Sequence, residues 1–302
     1  MIDLLTIGDV NADLLLQVQR FPQIDDEVQV DQYIRTPGGD AANIAVAAAK
    51  LGLKSVILGC VGMDEEGRFL AEALQKAGVE TKWLQRTVED KTGLVVGTVR
   101  SDGQRNLLSY RGANNQRYIQ PEVHYQINHA EFVHISDPLL REVEETAAFL
   151  CQKIKGSISL DPGSITAERG VECLAPLLCL CNICFLNENE LALLTGEQNS
   201  GKAIAILSRF CSGIIVVKRG EKGCLIVDQE QQMEVNGFSV NVVDTTGAGD
   251  AFDAGFLYAL HSHHPLQEAA RFANAVGALT TRALGAQSSQ PTLQEVEKLL
   301  GE

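Results

Sequence analysis

The sequence predicts an α/β fold of three layers, α/β/α, built on a mostly parallel sheet. Short segments rich in leucine and β-branched residues recur along the 302 residues, and helical segments separate most of them. No linker or internal repeat divides the chain, so we expect one domain spanning residues 1–302. The predicted strands cover residues 4–7, 55–61, 132–135, 157–160, 183–186, 214–217 and 224–227.

The ends of two predicted helices are marked by glycine. Residues 41–51 are rich in alanine and precede Gly52, while residues 65–77 carry apolar side chains at helical spacing and precede Gly78. Glycine commonly follows the last turn of a helix because it adopts the left-handed backbone conformation without strain. Both segments are therefore predicted crossover helices between parallel strands.

Two segments, at about 13–36 and 92–110, break the alternation because predicted strands follow one another without a helix. In the second segment, residues 92–100 and 106–110 flank Asp102-Gly103, a strong signal for a hairpin turn. We predict that the two segments form a small β-sheet that projects from the main domain. Such a sheet is a natural lid for a reaction that must exclude water.

Composition argues against several classes of partner. The formal net charge is -14 and lysine and arginine form no run, which disfavours nucleic acids and anionic membranes as partners. No apolar stretch is long enough to cross a bilayer, and the N-terminus lacks the basic region of a secretory signal. We therefore expect a cytosolic, cytoplasmic protein.

The eight cysteines lie in apolar runs and are interpreted as reduced core thiols. Cys173, Cys179, Cys181 and Cys184 are close enough in sequence to suggest a zinc site. However, residues 179–185 alternate like a buried strand, and no second cysteine pair or histidine follows at a suitable spacing. Packed thiols are preferred over zinc.

A glycine turn late in the chain carries the candidate chemistry. Residues 238–243 form a predicted strand that leads into Gly247-Ala248-Gly249-Asp250, and residues 251–261 have helical composition. The glycines permit close approach of a ligand, and the free amides of the first helical turn favour an anion. A carboxylate beside a phosphate does not help binding, so Asp250 is interpreted as the base that takes the proton of an attacking hydroxyl. The alternative is a simple partner of the helix dipole.

Two other glycine patterns are rejected. Residues 196–203 nearly match a phosphate-binding P-loop, but Ala203 replaces the required Ser or Thr and a predicted helix precedes the loop instead of a strand. The turn at Gly247 and Gly249 fails as a dinucleotide motif because Phe252 occupies the position of the third glycine. A dehydrogenase is the less favoured alternative.

Residues 244–252, Asp-Thr-Thr-Gly-Ala-Gly-Asp-Ala-Phe, resemble the C-terminal signature of the ribokinase-like (PfkB) carbohydrate kinases. Four further segments, at residues 8–13, 37–43, 187–190 and 218–223, resemble motifs of that family and follow its order. The resemblance extends over nearly the whole chain and implies a ribokinase-like fold. It also implies ATP-dependent transfer of the γ-phosphoryl group to a hydroxyl of a small sugar, such as ribose, fructose or a related furanose, ketose or sugar acid.

The same resemblance implies roles for individual residues. Asp250 would be the catalytic base, and the amides of Gly247, Ala248 and Gly249 would form the anion hole. The implied substrate-binding residues are Asn11, Asp13, Gly38, Gly39, Asp40, Asn43 and Arg111. The implied nucleotide-binding residues are Asn187, Glu190, Lys218, Gly220, Gly223 and Asn274, with Glu190 also holding a water of Mg²⁺. A monovalent cation such as K⁺ would lie at Asp244, Thr246, Gly285 and Ser289, and the family pattern implies a homodimer through the lid.

Some positions depart from the family's best-known members and leave the substrate open. Asp40-Ala41 follows Gly38-Gly39, where ribokinases typically show Lys-Gly and many fructokinases Ala-Pro, and Asp253 stands where Asn is usual. Arg111 either pairs with a carboxylate of the substrate or lies in solvent at the edge of the hairpin. The alternatives are therefore a nucleoside kinase of the same family or, from another class, a non-catalytic sensor of a sugar or nucleotide.

Overall fold

The computed structural model describes residues 2–100, 104–150, 155–229 and 231–301, with the side chains of 140–142 left out. Its strands are β1 Leu4–Ile7, β2 Asn11–Val18, β3 Val30–Gly38, β4 Ser55–Gly62, β5 Leu84–Thr87, β6 Gly93–Val99, β7 Arg105–Tyr110, β8 Phe132–Ser136, β9 Ser157–Asp161, β10 Ile183–Asn187, β11 Ile214–Lys218, β12 Cys224–Asp228 and β13 Gln231–Val235. The α-helices are α1 Asp40–Leu51, α2 Glu65–Lys76, α3 His124–His129, α4 Leu140–Leu150, α5 Gly163–Ala167, α6 Val171–Leu178, α7 Glu188–Thr195, α8 Ser200–Leu207, α9 Ala248–His261, α10 Leu266–Thr280 and α11 Leu293–Leu300.

Nine strands form the main sheet, in the order β13-β12-β11-β10-β9-β8-β1-β4-β5. The pairs from β11 to β5 are parallel, and β12 and β13 extend one edge in antiparallel fashion. All seven predicted strands belong to this sheet. The predicted α/β class with a mostly parallel sheet is confirmed.

Helices cover both faces of the main sheet, and its central strands are therefore buried on both sides. One core cluster joins the sheet to α3, α4, α6, α7 and α8, and includes Leu5, Val143 and Leu191. A second cluster joins the opposite face to α1, α9, α10 and α11, and includes Leu4 and Phe252. The two clusters are the two interfaces of a three-layer α/β/α arrangement.

A separate sheet of four strands has the order β3-β2-β6-β7. Strand β2 pairs with β3 antiparallel and with β6 parallel, and β6 pairs with β7 antiparallel. The predicted projecting sheet is therefore present, formed by the two segments that broke the helix–strand alternation. The predicted turn residues Asp102 and Gly103 lie outside the described residues.

The predicted strand at residues 238–243 is wrong. Strand β13 ends at Val235, which pairs with Cys224 of β12, and the chain from there to α9 is irregular. Val242 and Val243 are exposed, and the amides of Val243 and Asp244 donate to the carbonyl of Thr281. The apolar run indicated a strand, but its backbone bonds go to the end of α10. Helix α9 also begins earlier than predicted, at Ala248.

The cysteine prediction holds only in part. Cys60, Cys181, Cys184, Cys211 and Cys224 are buried, whereas Cys173 and Cys179 are exposed on and just after α6. Residues 179–182 precede the strand β10, so the apparent alternation began too early. Cys151 lies outside the described residues. Within the described part of the chain, no helix combines the length and apolar character needed to span a bilayer.

Candidate active site

Two cavities of similar size lie side by side at the carboxyl ends of the parallel strands, where ligands bind in open α/β sheets. The first, about 710 Å³, lies between the main sheet and the four-stranded sheet. The second, about 720 Å³, lies between the loop after β13 and helices α9 and α10. Lys218, Gly220, Thr245 and Gly249 line both cavities, which therefore meet at the first turn of α9.

The position of α9 is set by packing along its buried side. Phe252 and Phe256 pack against Phe185 of β10, with ring centroids 6.4 and 5.5 Å away. Gly247, just before the helix, has a left-handed backbone with φ 74°, and a Cβ there would lie 2.7 Å from that of Ala286. Only glycine fits this turn without strain. The first turn lies at the junction of the cavities, where the amide of Ala248 donates to the carbonyl of Thr245 at 3.3 Å and Gly249 lines both cavities.

Asp250 lies in this first turn and lines the first cavity. The Asn43 Nδ2 donates to Asp250 Oδ2 at 2.8 Å, and Asn43 Oδ1 accepts from Gln287 Nε2 at 3.0 Å. The Gln290 side chain donates to the Asn43 carbonyl at 2.9 Å. Burial raises the pKa of Asp250 to about 6, against the lowering effects of Asn43 and Lys218. This carboxylate is held in one orientation and accepts a proton more readily than an ordinary aspartate.

Lys218 is held beside the same turn by two aspartates. Its Nζ donates to Asp161 Oδ2 at 2.6 Å and to both oxygens of Asp253 at 3.1 Å. A Cβ on Gly249 would lie 3.3 Å from this Nζ, so the ammonium group lies against Gly249 in the first turn of α9. Asp253 is fully buried, and burial raises its pKa well above the usual range. Lys218 is thus part of a buried charge cluster, whereas its neighbour Arg219 pairs with the exposed Glu234 at 3.0 Å.

Asn187 and Glu190 form a reciprocal capping box at the start of α7. The Asn187 side chain accepts from the amide of Glu190 at 2.9 Å, and Glu190 Oε2 accepts from the amide of Asn187 at 2.8 Å. Ser164 donates to the other carboxylate oxygen of Glu190 at 3.1 Å. Both residues line the first cavity, and Glu190 is buried. The helix that fixes them is also the one that excluded a P-loop at residues 196–203.

Most of the predicted substrate residues are brought together. Those lining the first cavity are Asn11, Asp13, Gly39, Asp40, Asn43 and Arg111. Gly38 lies behind Asp13, where a Cβ would come within 2.1 Å of the carboxylate. Asn114 donates to Asn11 Oδ1 at 2.7 Å and thereby orients it.

Arg111 is not a solvent-exposed residue at a hairpin edge. Its guanidinium lies between Asp9, with Nε to Oδ2 3.5 Å, and Asp137, whose carboxylate and carbonyl it contacts. Asp9 is also bound by the buried Arg117 at 2.9 Å. Asp137 has a left-handed backbone, φ 44°, which is uncommon for a residue with a side chain and often marks a functional site.

Asp13 is 5% exposed, and its Oδ1 has no hydrogen-bond partner. Burial, with the charge of Asp250, raises its pKa from 3.8 to about 7. A raised carboxyl pKa contributes stability at low pH that is lost as pH rises through the folded value, by up to about 1.4 kcal/mol per pH unit. We expect Asp13→Asn to increase the free energy of unfolding more at about pH 8 than at about pH 5. Urea unfolding at both pH values tests this; an equal gain at each would contradict it.

Asn274, Gly220 and Gly223 line the second cavity. The Asn274 Nδ2 donates to the carbonyls of Val235 and Asn236, each at 3.2 Å, which fixes the orientation of its amide. Gly223 has φ 87°, and a Cβ there would lie 2.0 Å from the carbonyl of Val235. The predicted nucleotide residues are therefore divided between the cavities. Asn187 and Glu190 line the first cavity, Gly223 and Asn274 line the second, and Gly220 lines both.

The residues predicted for a monovalent cation lie together behind the glycine turn. Asp244 accepts from the amide of Thr246 at 3.0 Å and from the amide of Gly285 at 2.9 Å. Ser289 donates to the carbonyls of Thr280 and Gly285. These carboxylate, hydroxyl and carbonyl oxygens are the donor types that a hard cation takes. The residue set fits such an ion.

Four contributors to the site were missed by sequence reasoning. Asp161 and Asp9 end or follow parallel strands, a position that could have identified them. Arg105 of β7 contacts the Thr246 hydroxyl from the four-stranded sheet, and Gln287 orients Asn43 from near the end of the chain. No local pattern marks either residue, because each acts across a long separation in sequence.

Comparison with known proteins assigns the family. The profile described as "pfkB family carbohydrate kinase" matches residues 1–293. The chain belongs to this family. A ribokinase of Haemophilus influenzae is 30% identical over 310 residues, covering 98% of each chain. An ATP-dependent ribose-1-phosphate kinase of Halopiger xanaduensis is 31% identical over 305 residues, covering 100% of this chain and 99% of the relative.

Solved structures agree with this assignment. A ribokinase of Arabidopsis thaliana, complexed with ribose and ATP, aligns over 100% of both chains with a TM-score of 0.89 and 28% identity. The predicted ribokinase-like fold is confirmed, including the smaller second sheet. As a pfkB family member, the protein is a phosphotransferase with an alcohol group as acceptor, of the sugar and nucleoside kinase type.

Proposed function

We propose that the protein transfers the γ-phosphoryl group of ATP to a hydroxyl of a small sugar, such as ribose, fructose or a related furanose or ketose. The observation that carries this proposal is the position of Asp250, at the first turn of α9 where the two cavities meet. An acceptor in the first cavity and a nucleotide in the second would meet at this carboxylate. The similar Arabidopsis thaliana ribokinase was solved with ribose and ATP bound together.

In this proposal Asp250 removes the proton of the acceptor hydroxyl. Its raised pKa suits a base that works near neutral pH, and Asn43 aims the carboxylate at the cavity. The amides from Gly247 to Asp250, at the positive end of α9, stabilise the negative charge that develops on the transferring phosphoryl group. Asn11, Asp13 and Gly39 would hold the sugar.

The second cavity would hold the adenosine of ATP against Gly223 and Asn274, and Lys218 would approach the phosphates as a point charge. Asn187 and Glu190 would organise Mg²⁺ through a bound water, as suits an ion that keeps several waters. Magnesium bound there would neutralise charge on the phosphates.

K⁺ at Asp244 would order the glycine turn. The test is the melting temperature of the protein, which should rise with K⁺ but not with Na⁺ if this assignment holds.

The four-stranded sheet would serve as the lid, with Arg105 as its contact to Thr246 in the glycine turn. Tyr33 and Leu108 are exposed on the two outer strands of this sheet. We propose that two copies pair through these sheets, in a cytosolic homodimer with residues 1–302 forming one domain. Sedimentation equilibrium tests the dimer, and a monomer at all concentrations would contradict it.

A panel of sugars and nucleosides tests the function. ADP formation from ATP and Mg²⁺ is measured with ribose, fructose, other neutral sugars and nucleosides, each against a reaction without acceptor. We expect ADP formation that depends on the acceptor and is fastest with a sugar. A ligand that binds without turnover would instead identify a sensor, and faster turnover with a nucleoside would favour the other branch of the family.

The pH dependence of the reaction follows from the pKa of Asp250, about 6. A general base works only when deprotonated, so kcat/KM should fall about tenfold per pH unit below that value and level off above it. The measurement is kcat/KM over a pH series, because kcat/KM reports the pKa of the free enzyme. The acid limb should vanish in Asp250→Asn; a limb that persists unchanged in that variant would assign it to another group.

A further inference from the structure

The first cavity is lined by an excess of acidic side chains. Its acidic residues among those described are Asp9, Asp13, Asp40, Asp137, Asp161, Glu190 and Asp250, and its basic ones are Arg105, Arg111 and Lys218. In a site sheltered from water, charges of one sign disfavour a ligand of the same sign. Whether the cavity can bind an anionic acceptor therefore depends on whether any of its three basic side chains is available to pair with one.

Two of the three cations are already matched. Arg111 lies between the carboxylates of Asp9 and Asp137, and the Thr166 hydroxyl fixes Asp137 by donating to its Oδ1 at 2.5 Å. Lys218 is bound by Asp161 and by Asp253, as described above. An anionic group on the acceptor would have to displace a carboxylate from one of these pairs, which leaves a buried charge uncompensated.

The third cation, Arg105, lies at the glycine turn. It contacts the Thr246 hydroxyl, and its charge acts on Asp13 and Asp250. Its location is therefore the place of phosphoryl transfer rather than the far end of the acceptor cavity. No basic residue among those that line the cavity is left over for a carboxylate or phosphate carried by the acceptor.

Asp40 stands in contrast to these paired residues. It is the first residue of α1, directly after Gly39, and its half-buried carboxylate makes no hydrogen bond with the described part of the chain. Burial, together with the charges of Asp250 and Asp137, raises its pKa well above the usual range. Asp13, which is more deeply buried, also leaves an oxygen without a partner in this cavity. Both carboxyl groups are open to hydrogen-bond donors from a ligand.

We propose that the acceptor is uncharged or positively charged, and that Asp40 is the specificity-determining residue that accepts a hydrogen bond from a hydroxyl or amino group on it. This inference rests on the proposed kinase function and narrows its substrate. Sugar acids and sugar phosphates are excluded because they would bring a further negative charge into a cavity where burial and the neighbouring carboxylates already disfavour the ionised forms of Asp40 and Asp13. It also separates this chain from the relative that acts on ribose 1-phosphate.

The test compares acceptors that share a carbon skeleton and differ in charge. The value of kcat/KM is measured with ribose, ribonate and ribose 1-phosphate, and with fructose and 1-amino-1-deoxyfructose. For the parent protein we expect the neutral or amino acceptor to exceed the anionic ones by about 100-fold. If the amino sugar has the higher kcat/KM, Asp40 binds an ammonium group. If the neutral sugar has the higher value, Asp40 binds a hydroxyl group.

Asp40→Asn keeps the size of the side chain and replaces its ionisable carboxyl group by an amide that stays neutral, and asparagine is tolerated in the first turn of a helix. We expect the ratio of kcat/KM for neutral acceptors to kcat/KM for anionic acceptors to be about tenfold smaller in this variant, mainly because KM for the anionic acceptors falls. Glu72→Gln removes an exposed carboxylate of α2, away from the cavity, and should leave the preference unchanged. Circular dichroism and thermal unfolding confirm that the variants fold.

Two results would overturn the inference. One is a parent protein that uses ribonate or ribose 1-phosphate as well as ribose, and the other is an unchanged preference in Asp40→Asn. If no acceptor is phosphorylated, the proposed function itself fails. Calorimetric titration of the same acceptors then still measures the selectivity, and binding of the anionic acceptors as tight as that of the neutral ones would reject the role of Asp40.

Discussion

Asp250→Asn should lower kcat by roughly 100- to 10,000-fold, the range that a positioned general base contributes. Asparagine has nearly the same shape, and its Oδ1 can accept the bond from Asn43 Nδ2 that now ends on Asp250 Oδ2 at 2.8 Å. The fold and the binding of both substrates should therefore survive. The measurement is kcat for ADP formation with the best acceptor, together with calorimetric binding of ATP and of the acceptor.

Asp253→Asn is the matched control, because it makes the same change one turn further along α9. Asp253 is fully buried and contacts Lys218 instead of lining either cavity. Asparagine is also the residue that the family usually carries there. We expect a much smaller loss of kcat than for Asp250→Asn; losses of equal size in the two variants would mean that position 250 acts through structure alone.

Lys218→Met should reduce the free energy of unfolding by about 3–5 kcal/mol, the usual cost of removing one partner of a buried ion pair. The Lys218 side chain is 12% exposed, and its loss leaves Asp161 without a cation at 2.6 Å. Activity should fall as well, because the ammonium group lies against Gly249 at the junction of the cavities. Urea unfolding at neutral pH measures the change in stability.

Two further variants test whether the loss of stability in Lys218→Met comes from its buried ion pairs or from the loss of any positive charge. Arg219→Met removes the neighbouring cation, whose partner Glu234 is exposed, so its cost should be about 1 kcal/mol or less. Adding Asp161→Asn to Lys218→Met removes one of the two carboxyl groups that lose their cation, the other being Asp253, and should restore part of the stability. A similar loss for Lys218→Met and Arg219→Met, or no recovery in the double variant, would contradict the cluster.

The sequence was a good guide to the main sheet because its central strands are buried on both faces and therefore carry continuous apolar runs. The pattern failed at residues 238–243, where Ser239 and Asn241 alternate with apolar residues as in a strand, but the segment is partly exposed and bonds to the end of α10. Hydrophobic pattern alone does not tell whether a neighbouring strand is present. The small sheet was predicted from a hairpin signal and from the absence of intervening helices.

The site was predictable where its residues form local motifs and not where they meet through the fold. Asp250 belongs to a short glycine string whose helix-terminus geometry is suggested by the residues themselves. Asn187 and Glu190 also form a short string, but only its resemblance to a family motif marked it, and their capping box was not predicted. Arg111 carried two open interpretations because only the folded chain brings it between Asp9 and Asp137. Asp253 was marked merely as an unusual residue, and its contact with Lys218 appears only once β11 and α9 are packed together.

The most direct test of the account is a single-turnover reaction with ATP labelled in its γ-phosphoryl group. Parent protein and Asp250→Asn are each loaded with labelled ATP and acceptor sugar, and the products are separated after rapid quenching. We predict that the label moves to the sugar in the parent and remains on ATP over the same interval in Asp250→Asn, although both bind the two substrates. Transfer at the parental rate without the Asp250 carboxylate would contradict the account, as would label released from the parent as free phosphate whether or not sugar is present.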